Sequence, residues 1–328
     1  MKRYLLARLG WTLLAAYLLL SAAFLAVALT PDPNRRMAEM AAAGEALSNE
    51  SIVDKQAYVE QAGAAYAEAR NRDRPLVLRY WDWMAGYATL DWGWSFAYET
   101  PVEQAVVRGL RVTTLYLLPA VVLSWVVSLV GGIYAGLRGG ISDRIGRLVT
   151  YLGIGLPAVV VAQALVTYDR EGVLSYPAFD PSLALLAPQN LAALAVPSAL
   201  VAFSLLAVQW RAVRTESLDL AGQEFVTALR AEGASVVRLG RHLAKNATAP
   251  LASLFTGELL VVLLLTVYVV EEILGVPGIG AVTLRAFEER DVGLVLATVM
   301  LPAFVGLFGN LLADLVAGAV DPRVSEEE

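Results

Sequence analysis

Few residues in this chain are equipped for chemistry, and most of those stand where a polar group is costly. Glu258 interrupts an otherwise uncharged run at residues 246–270, and Asp314 stands just beyond another at 292–313. Gln163 and Asn310 are neutral polar residues inside similar runs. Acids in such surroundings face a bundle interior or an aqueous pathway and pair with a cation. There is no cysteine, and His242 is the single histidine, which excludes disulfides, thiolate sites and a histidine-cluster metal centre. No G-x-x-x-x-G-K-[ST] run occurs, so the chain cannot hold a nucleotide phosphate in P-loop fashion. No nucleophile–base pair stands out either. The polar side chains gather instead in one loop, residues 211–250, which carries Arg211, Arg214, Arg230, Arg238, Arg241, His242 and Lys245.

The elements that must position these groups are membrane spans. The 328 residues are 57% hydrophobic and only 17% charged, against about 25% charged in a soluble domain. A bilayer core is crossed by about 20 mostly apolar helical residues. Six stretches meet that length: residues 9–29, 112–137, 148–168, 181–210, 246–270 and 292–313. In the fourth the span is expected to start near Asn190. The first apolar run is about twice the 7–15 residues of a signal peptide and no A-x-A site follows, so it is expected to be retained. With both termini inside, the short inner loops and ends hold 13 Lys/Arg and the short outer loops 3, namely Arg170, Arg285 and Arg290. That asymmetry predicts cytoplasmic termini. The net charge of −6 gives no reason to expect a nucleic-acid partner.

Between the first two spans lies a long outer segment, residues 31–111. Residues 37–70, rich in Ala, Glu and Gln, predict one or two polar helices, and residues 74–87 an amphipathic one with Leu76, Leu78, Trp81, Met84 and Tyr87 at helical spacing. Trp81, Trp83, Trp92 and Trp94 suit the headgroup zone; a stacking platform for a ligand is the other reading. The inner loop is too long for a mere connection. Residues 219–229 predict a helix, Gly233 its left-handed stop, and Ser235 the cap of a second helix through Arg238, Arg241 and His242. This pattern suits a surface that touches something in the cytoplasm; a solvated loop serving topology alone fits it equally.

At this loop the chain resembles the membrane-spanning permease subunits of ABC importers of the dipeptide/oligopeptide (and nickel) family. The family's inner loop reads roughly Y-x-R-T-A-R-A-K-G followed by H-x-x-x-N-x-x-x-P. Here Phe225-Val226-Thr227-Ala228-Leu229-Arg230-Ala231-Glu232-Gly233 aligns with the first part, and His242, Asn246 and Pro250 with the second. Glu232 replaces the usual lysine, and the gap from Gly233 to His242 is one residue shorter than usual. Thr30-Pro31-Asp32-Pro33 is similar to P-G-D-P, Leu90-Asp91-Trp92-Gly93-Trp94-Ser95 to G-D-L-G-x-S, and Glu271–Gly280 to E-x-V-F-x-x-P-G-x-G. Ala135–Gly140 with Asp143-Arg144 resembles the inner loop after the second span, and Asp321-Pro322-Arg323 the family's D-P-R ending. Residues 37–74 are not covered.

The resemblance implies an all-α integral membrane protein with six transmembrane helices, a type I ABC importer-like permease fold and a helical extracellular insertion. It divides the chain into residues 1–30 with the first span, 31–111 outside, a five-span core at 112–320 with a coupling loop at 211–249, and an acidic cytoplasmic tail at 321–328. The implied partners are a second homologous permease subunit, two P-loop ATPase subunits and an extracellular substrate-binding protein, with the lipid bilayer around them. ATP and Mg would be used by the ATPase subunits, this chain binding no cofactor and catalysing no reaction. Ala228, Arg230, Glu232, Gly233, His242, Asn246 and Pro250 would form the coupling element. Gln163, Glu258, Asn310 and Asp314 would face the translocation pathway, where Glu258 meets either a peptide amino terminus or an arginine of the partner permease. Glu271, Pro277, Gly278 and Gly280 would lie outside, where the binding protein docks. Two other readings compete: a secondary transporter working alone, which would carry related halves with broken helices, and a non-transporting scaffold that uses its outer segment.

Overall fold

A computed structural model describes residues 2–29, 33–49, 52–69, 74–173 and 175–320. The elements in order are α1 (Lys2–Leu29), α2 (Pro33–Ser48), α3 (Lys55–Ala69), α4 (Leu76–Thr89), a hairpin of β1 (Trp94–Ser95) and β2 (Thr100–Pro101), α5 (Val102–Arg138), α6 (Gly140–Gly155), α7 (Ala158–Arg170), α8 (Pro188–Ala221), α9 (Glu224–Ala231), α10 (Val236–Val261), a π-helical segment (Val262–Val267), α11 (Tyr268–Leu274), α12 (Ile279–Glu288) and α13 (Val292–Val320). Four are long and apolar enough to cross a bilayer: Leu6–Leu29 of α1, α5, α8 and Val292–Leu315 of α13. The pair α6 and α7 passes the same test together, which gives up to five. The run expected as a further span, residues 246–270, lies on the helical backbone from Val236 through the π-helical segment to Leu274.

The third expected span, residues 148–168, is not one straight helix. It bends by 75° between α6 and α7. Pro157 disfavours helical geometry at Leu156, which takes φ −117° and ψ 89°. Prolines inside α5, α8 and α13 (Pro119, Pro197, Pro302) break no helix, as membrane helices tolerate when neighbours satisfy the freed backbone groups.

The chain divides into two compact units. One comprises Met1–Leu13, Val106–Leu284 and Thr298–Glu328. Its apolar cluster at one end gathers Ile133 of α5, Val213 and Leu220 of α8, Val226 of α9, and Leu239, Leu243, Leu251 and Phe255 of α10. The other comprises Leu14–Ala105 and Arg285–Ala297. There α4 packs on α1 through Phe24, Tyr80 and Trp83, with a 2.8 Å hydrogen bond between Ser21 Oγ and Tyr80 Oη. Of the one or two polar helices expected at residues 37–70 there are two, α2 and α3, and the amphipathic one is α4. The hairpin is fastened by Asp291: its Oδ2 accepts from Ser95 Oγ at 2.7 Å and from the backbone N–H groups of Phe96 and Ala97 at 2.7 and 3.2 Å. Its Oδ1 accepts from Leu294 N–H at 3.1 Å and caps α13. The Asp321-Pro322-Arg323 motif, the rest of the 321–328 tail and Thr30-Pro31-Asp32 lie outside the described residues.

Candidate functional site

Residues 211–250 form an elbow. Residues 219–229, expected as one helix, are split: α8 ends at Ala221, Gly222 and Gln223 turn the chain, and extended Gln223 (ψ 151°) opens α9. The split lets α9 leave the axis of α8 while Val226 stays fully buried in the apolar cluster. After α9, Gly233 takes φ +79°, a conformation that a Cβ would strain, and Ala234 N–H reaches back to Leu229 O at 3.0 Å. Ser235 then caps α10, its Oγ accepting Arg238 N–H at 3.3 Å. This is the helix–Gly–helix shape expected from sequence.

Burial divides the elbow into two faces. Val226, Leu239 and Leu243 are buried beneath it. Ala228, Arg230, Glu232, Gly233 and His242 are all exposed. Neither Arg230 nor Glu232 forms an ion pair among the described residues. Asn246 and Pro250 lie on the α10 backbone; their side chains are outside what is described. The result is a fixed, open, polar ridge on a buried apolar footing.

The four candidate pathway residues are not brought together. Gln163 on α7 and Asn310 on α13 are exposed, and Asp314 pairs with Arg8 at 3.5 Å. Glu258 is on α10. Both its carboxylate oxygens are buried, with Gln209 of α8 the adjoining polar side chain at a geometry short of a hydrogen bond. Gln209 is itself buried and accepts from Ser128 Oγ of α5 at 3.4 Å. Beside it opens a cavity of about 390 Å³ walled by Trp125, Leu205, Phe255, Leu259, Val305 and Leu312 among others. Gln209 escaped the sequence reading because one amide next to the Trp210-Arg211 boundary gives no pattern.

Glu271 corrects an expectation. It was placed on an outer docking surface, yet none of it is exposed. Its Oε1 accepts from Thr113 Oγ1 at 2.5 Å and Tyr116 Oη at 2.7 Å; its Oε2 accepts from the N–H groups of Gly280 at 2.7 Å and Ala281 at 3.4 Å. Thr113 Oγ1 also accepts Ile279 N–H at 2.8 Å. Gly278 and Gly280 are buried because a Cβ on either would collide with the Glu271 carboxylate or the Tyr268 backbone. Only Pro277 of this turn is exposed. Glu271 therefore holds the turn's shape, and any partner would meet Pro277. Thr113 and Tyr116, three apart on one helical face of α5, turn Glu271 inward, and no local pattern in the sequence marks them as its partners.

Near the start of α6 and the end of α8, Asp143 bonds Arg214 through its Oδ1 and lies 3.5 Å from Arg147 through its Oδ2. The hydrogen bond from Arg214 holds the Asp143 carboxyl below its ordinary value.

The elbow, on its buried apolar footing, is carried by long apolar helices. Residues 128–326 match the family described as binding-protein-dependent transport system inner membrane component. The chain belongs to that family. It is a permease component of the cell membrane. Its relatives include the dipeptide transport system permease protein DppB of Lactococcus lactis, 25% identical over 99% of both chains. The Bacillus subtilis protein of the same name is 25% identical over 77% of this chain and 80% of its own. The metal-staphylopine import system permease protein CntB of Staphylococcus aureus is 25% identical over 77% of this chain and 79% of its own.

Proposed function

We propose that the chain is one of two homologous permease subunits of an ABC importer for peptides, delivered by an extracellular binding protein and driven by two P-loop ATPase subunits. Six spans cross the membrane, the sixth contributed by α10 through α11, with both termini cytoplasmic and residues 31–111 outside. ATP and Mg belong to the ATPase subunits, and this chain binds neither. The substrate class is supported by the names of the dipeptide permease relatives.

The observation that carries the reading is the exposed α9–Gly233–α10 elbow. Its exposed residues Ala228, Arg230, Glu232, Gly233 and His242 form the face for an ATPase subunit, with Asn246 and Pro250 further along α10. The helical path from Val236 to Leu274 runs about 58 Å at 1.5 Å per residue. It carries Ser235's cap at one end, Glu258 part-way and Glu271's turn at the other. A push at the elbow is thus delivered along one rod to the polar group in the span and to the outer turn. ATPase closure needs only to bind one of two span arrangements better than the other. The π-helical segment at Val262–Val267 is where that rod can adjust its register.

Glu258 would take the ammonium end of a passing peptide, Gln163, Asn310 and Asp314 lining wetter parts of the route. Pro277, with Gly278 and Gly280 shaping the turn beneath it, would meet the binding protein. Purification from the native membrane tests the assembly: a second permease and two P-loop ATPases should accompany the chain. A solitary protein that transports on an ion gradient would refute it.

A further inference from the structure

A second cavity lies away from the elbow and from Glu258. It measures about 500 Å³ and is bounded by Arg147, Thr150, Tyr151 and Ile154 of α6 and by Trp210, Arg211, Arg214 and Thr215 of α8, with Gly155. Three guanidinium groups meet one acid here. Asp143 bonds Arg214 and lies 3.5 Å from Arg147, while Arg211 pairs with no acid among the described residues. The cavity therefore keeps a surplus of positive charge. Arg147 is half exposed and Arg214 about a quarter exposed, so both retain donors for a ligand.

One wall of the cavity is fixed by close packing. The Trp210 indole is wedged against Gly131 of α5 and Gly146 of α6, where neither glycine leaves room for a Cβ, and its Nε1 faces Gly146 rather than the cavity. The guanidinium donors on the rest of the lining suit an anionic oxygen.

The surroundings identify the source of that oxygen. On α6, Ile141, Ile145, Leu148 and Tyr151 are all more than half exposed, an apolar stripe at helical spacing beside the arginines. A soluble anion has no use for such a stripe. A phospholipid does, since its headgroup and its chains need a basic pocket next to an apolar track, and basic pockets between spans on the cytoplasmic side suit acidic headgroups. Guanidinium forks also match phosphate geometry better than ammonium groups do.

We propose that this cavity binds the phosphodiester headgroup of an anionic phospholipid of the inner leaflet, with Arg147, Arg211 and Arg214 on the phosphate and the acyl chains along the exposed stripe of α6. The inference rests on the cytoplasmic placement of the α5–α6 turn in the functional reading above. A bound lipid would brace α6 against α8 beside the bend at Pro157.

Native mass spectrometry of the intact complex, titrated with phosphatidylglycerol or phosphatidylcholine of matched chains, tests it. The expected result is about tenfold or greater preference for phosphatidylglycerol, abolished in an Arg147→Gln/Arg211→Gln variant and kept in Arg170→Gln. Arg211→Gln alone, at an exposed position, should give a partial loss if the double variant does not accumulate. Equal affinity for the two lipids, or a preference undiminished by both variants, overturns the proposal. Displacement by millimolar inorganic phosphate also overturns it, by assigning the site to a free anion. A complex that keeps its ATPase subunits but shows no lipid preference overturns this inference alone; a chain without ATPase subunits overturns the functional reading.

Discussion

Glu271 and Thr113 lie 158 positions apart in sequence, and their side chains share a 2.5 Å hydrogen bond that joins α11 to α5. The same carboxylate accepts from Tyr116, Gly280 and Ala281, so one buried group sets the conformation of the Pro277–Gly280 turn. Removing it strands two hydroxyls and two backbone donors together. Glu271→Ala should destabilise the protein by about 2–5 kcal/mol, because several buried donors are left unsatisfied at about 1–3 kcal/mol each. Thr113→Val, which removes one partner, should cost about 1–3 kcal/mol. Thermal unfolding of the detergent-purified chain checks both, and an Ala variant as stable as the parent would contradict the assignment.

Asp291 does comparable work for the hairpin, with four donors on one carboxylate. Asp291→Ala should free residues 94–101 from the start of α13 and lower stability by about 2 kcal/mol or more. Limited proteolysis reads this directly: new cleavage between Trp94 and Thr100 is expected, with the spans intact.

The Asp143–Arg214 pair carries a pH signature. A carboxyl held below its ordinary value of 3.8 stabilises the fold above that value, and the contribution is lost as pH falls through the lowered value. Asp143→Asn should therefore unfold more readily than the parent at pH 7, and the two should converge in strong acid. Parallel melting curves from pH 7 to pH 3 would show it. A constant gap at all pH values would mean that the pair contributes nothing through charge.

Sequence revealed most of the expected spans and the shape of the elbow for a simple physical reason: both are written in local runs. An uncharged stretch of about 20 residues has few uses besides a membrane, and Glu232-Gly233-Ala234-Ser235 holds a helix stop and a helix cap side by side. What it hid were the relations between distant residues. An acid at the end of a span reads as surface, and only the fold shows that Thr113 and Tyr116 turn Glu271 inward. Asp291 caps α13 through Leu294 three residues on, but nothing local marks its hairpin partners, which lie 194 to 196 positions earlier. The bend at Pro157 was visible in Gly153-Ile154-Gly155-Leu156-Pro157, yet hydropathy weighs that segment as a straight span. The split of residues 219–229 at Gly222 came from tertiary burial of Val226, which local propensity does not register.

The central claim is that energy enters this chain through the elbow at Gly233. The most direct measurement reconstitutes the complete importer in proteoliposomes with a Gly233→Trp permease and records substrate accumulation and ATP hydrolysis together. The φ of +79° strains any side chain there, and the bulk blocks the face on which Ala228, Arg230 and Glu232 stand open. The account predicts a chain that still assembles in the membrane, with accumulation reduced about tenfold or more and hydrolysis no longer linked to transport. Normal accumulation at the parental ratio of transport to ATP hydrolysed would contradict it.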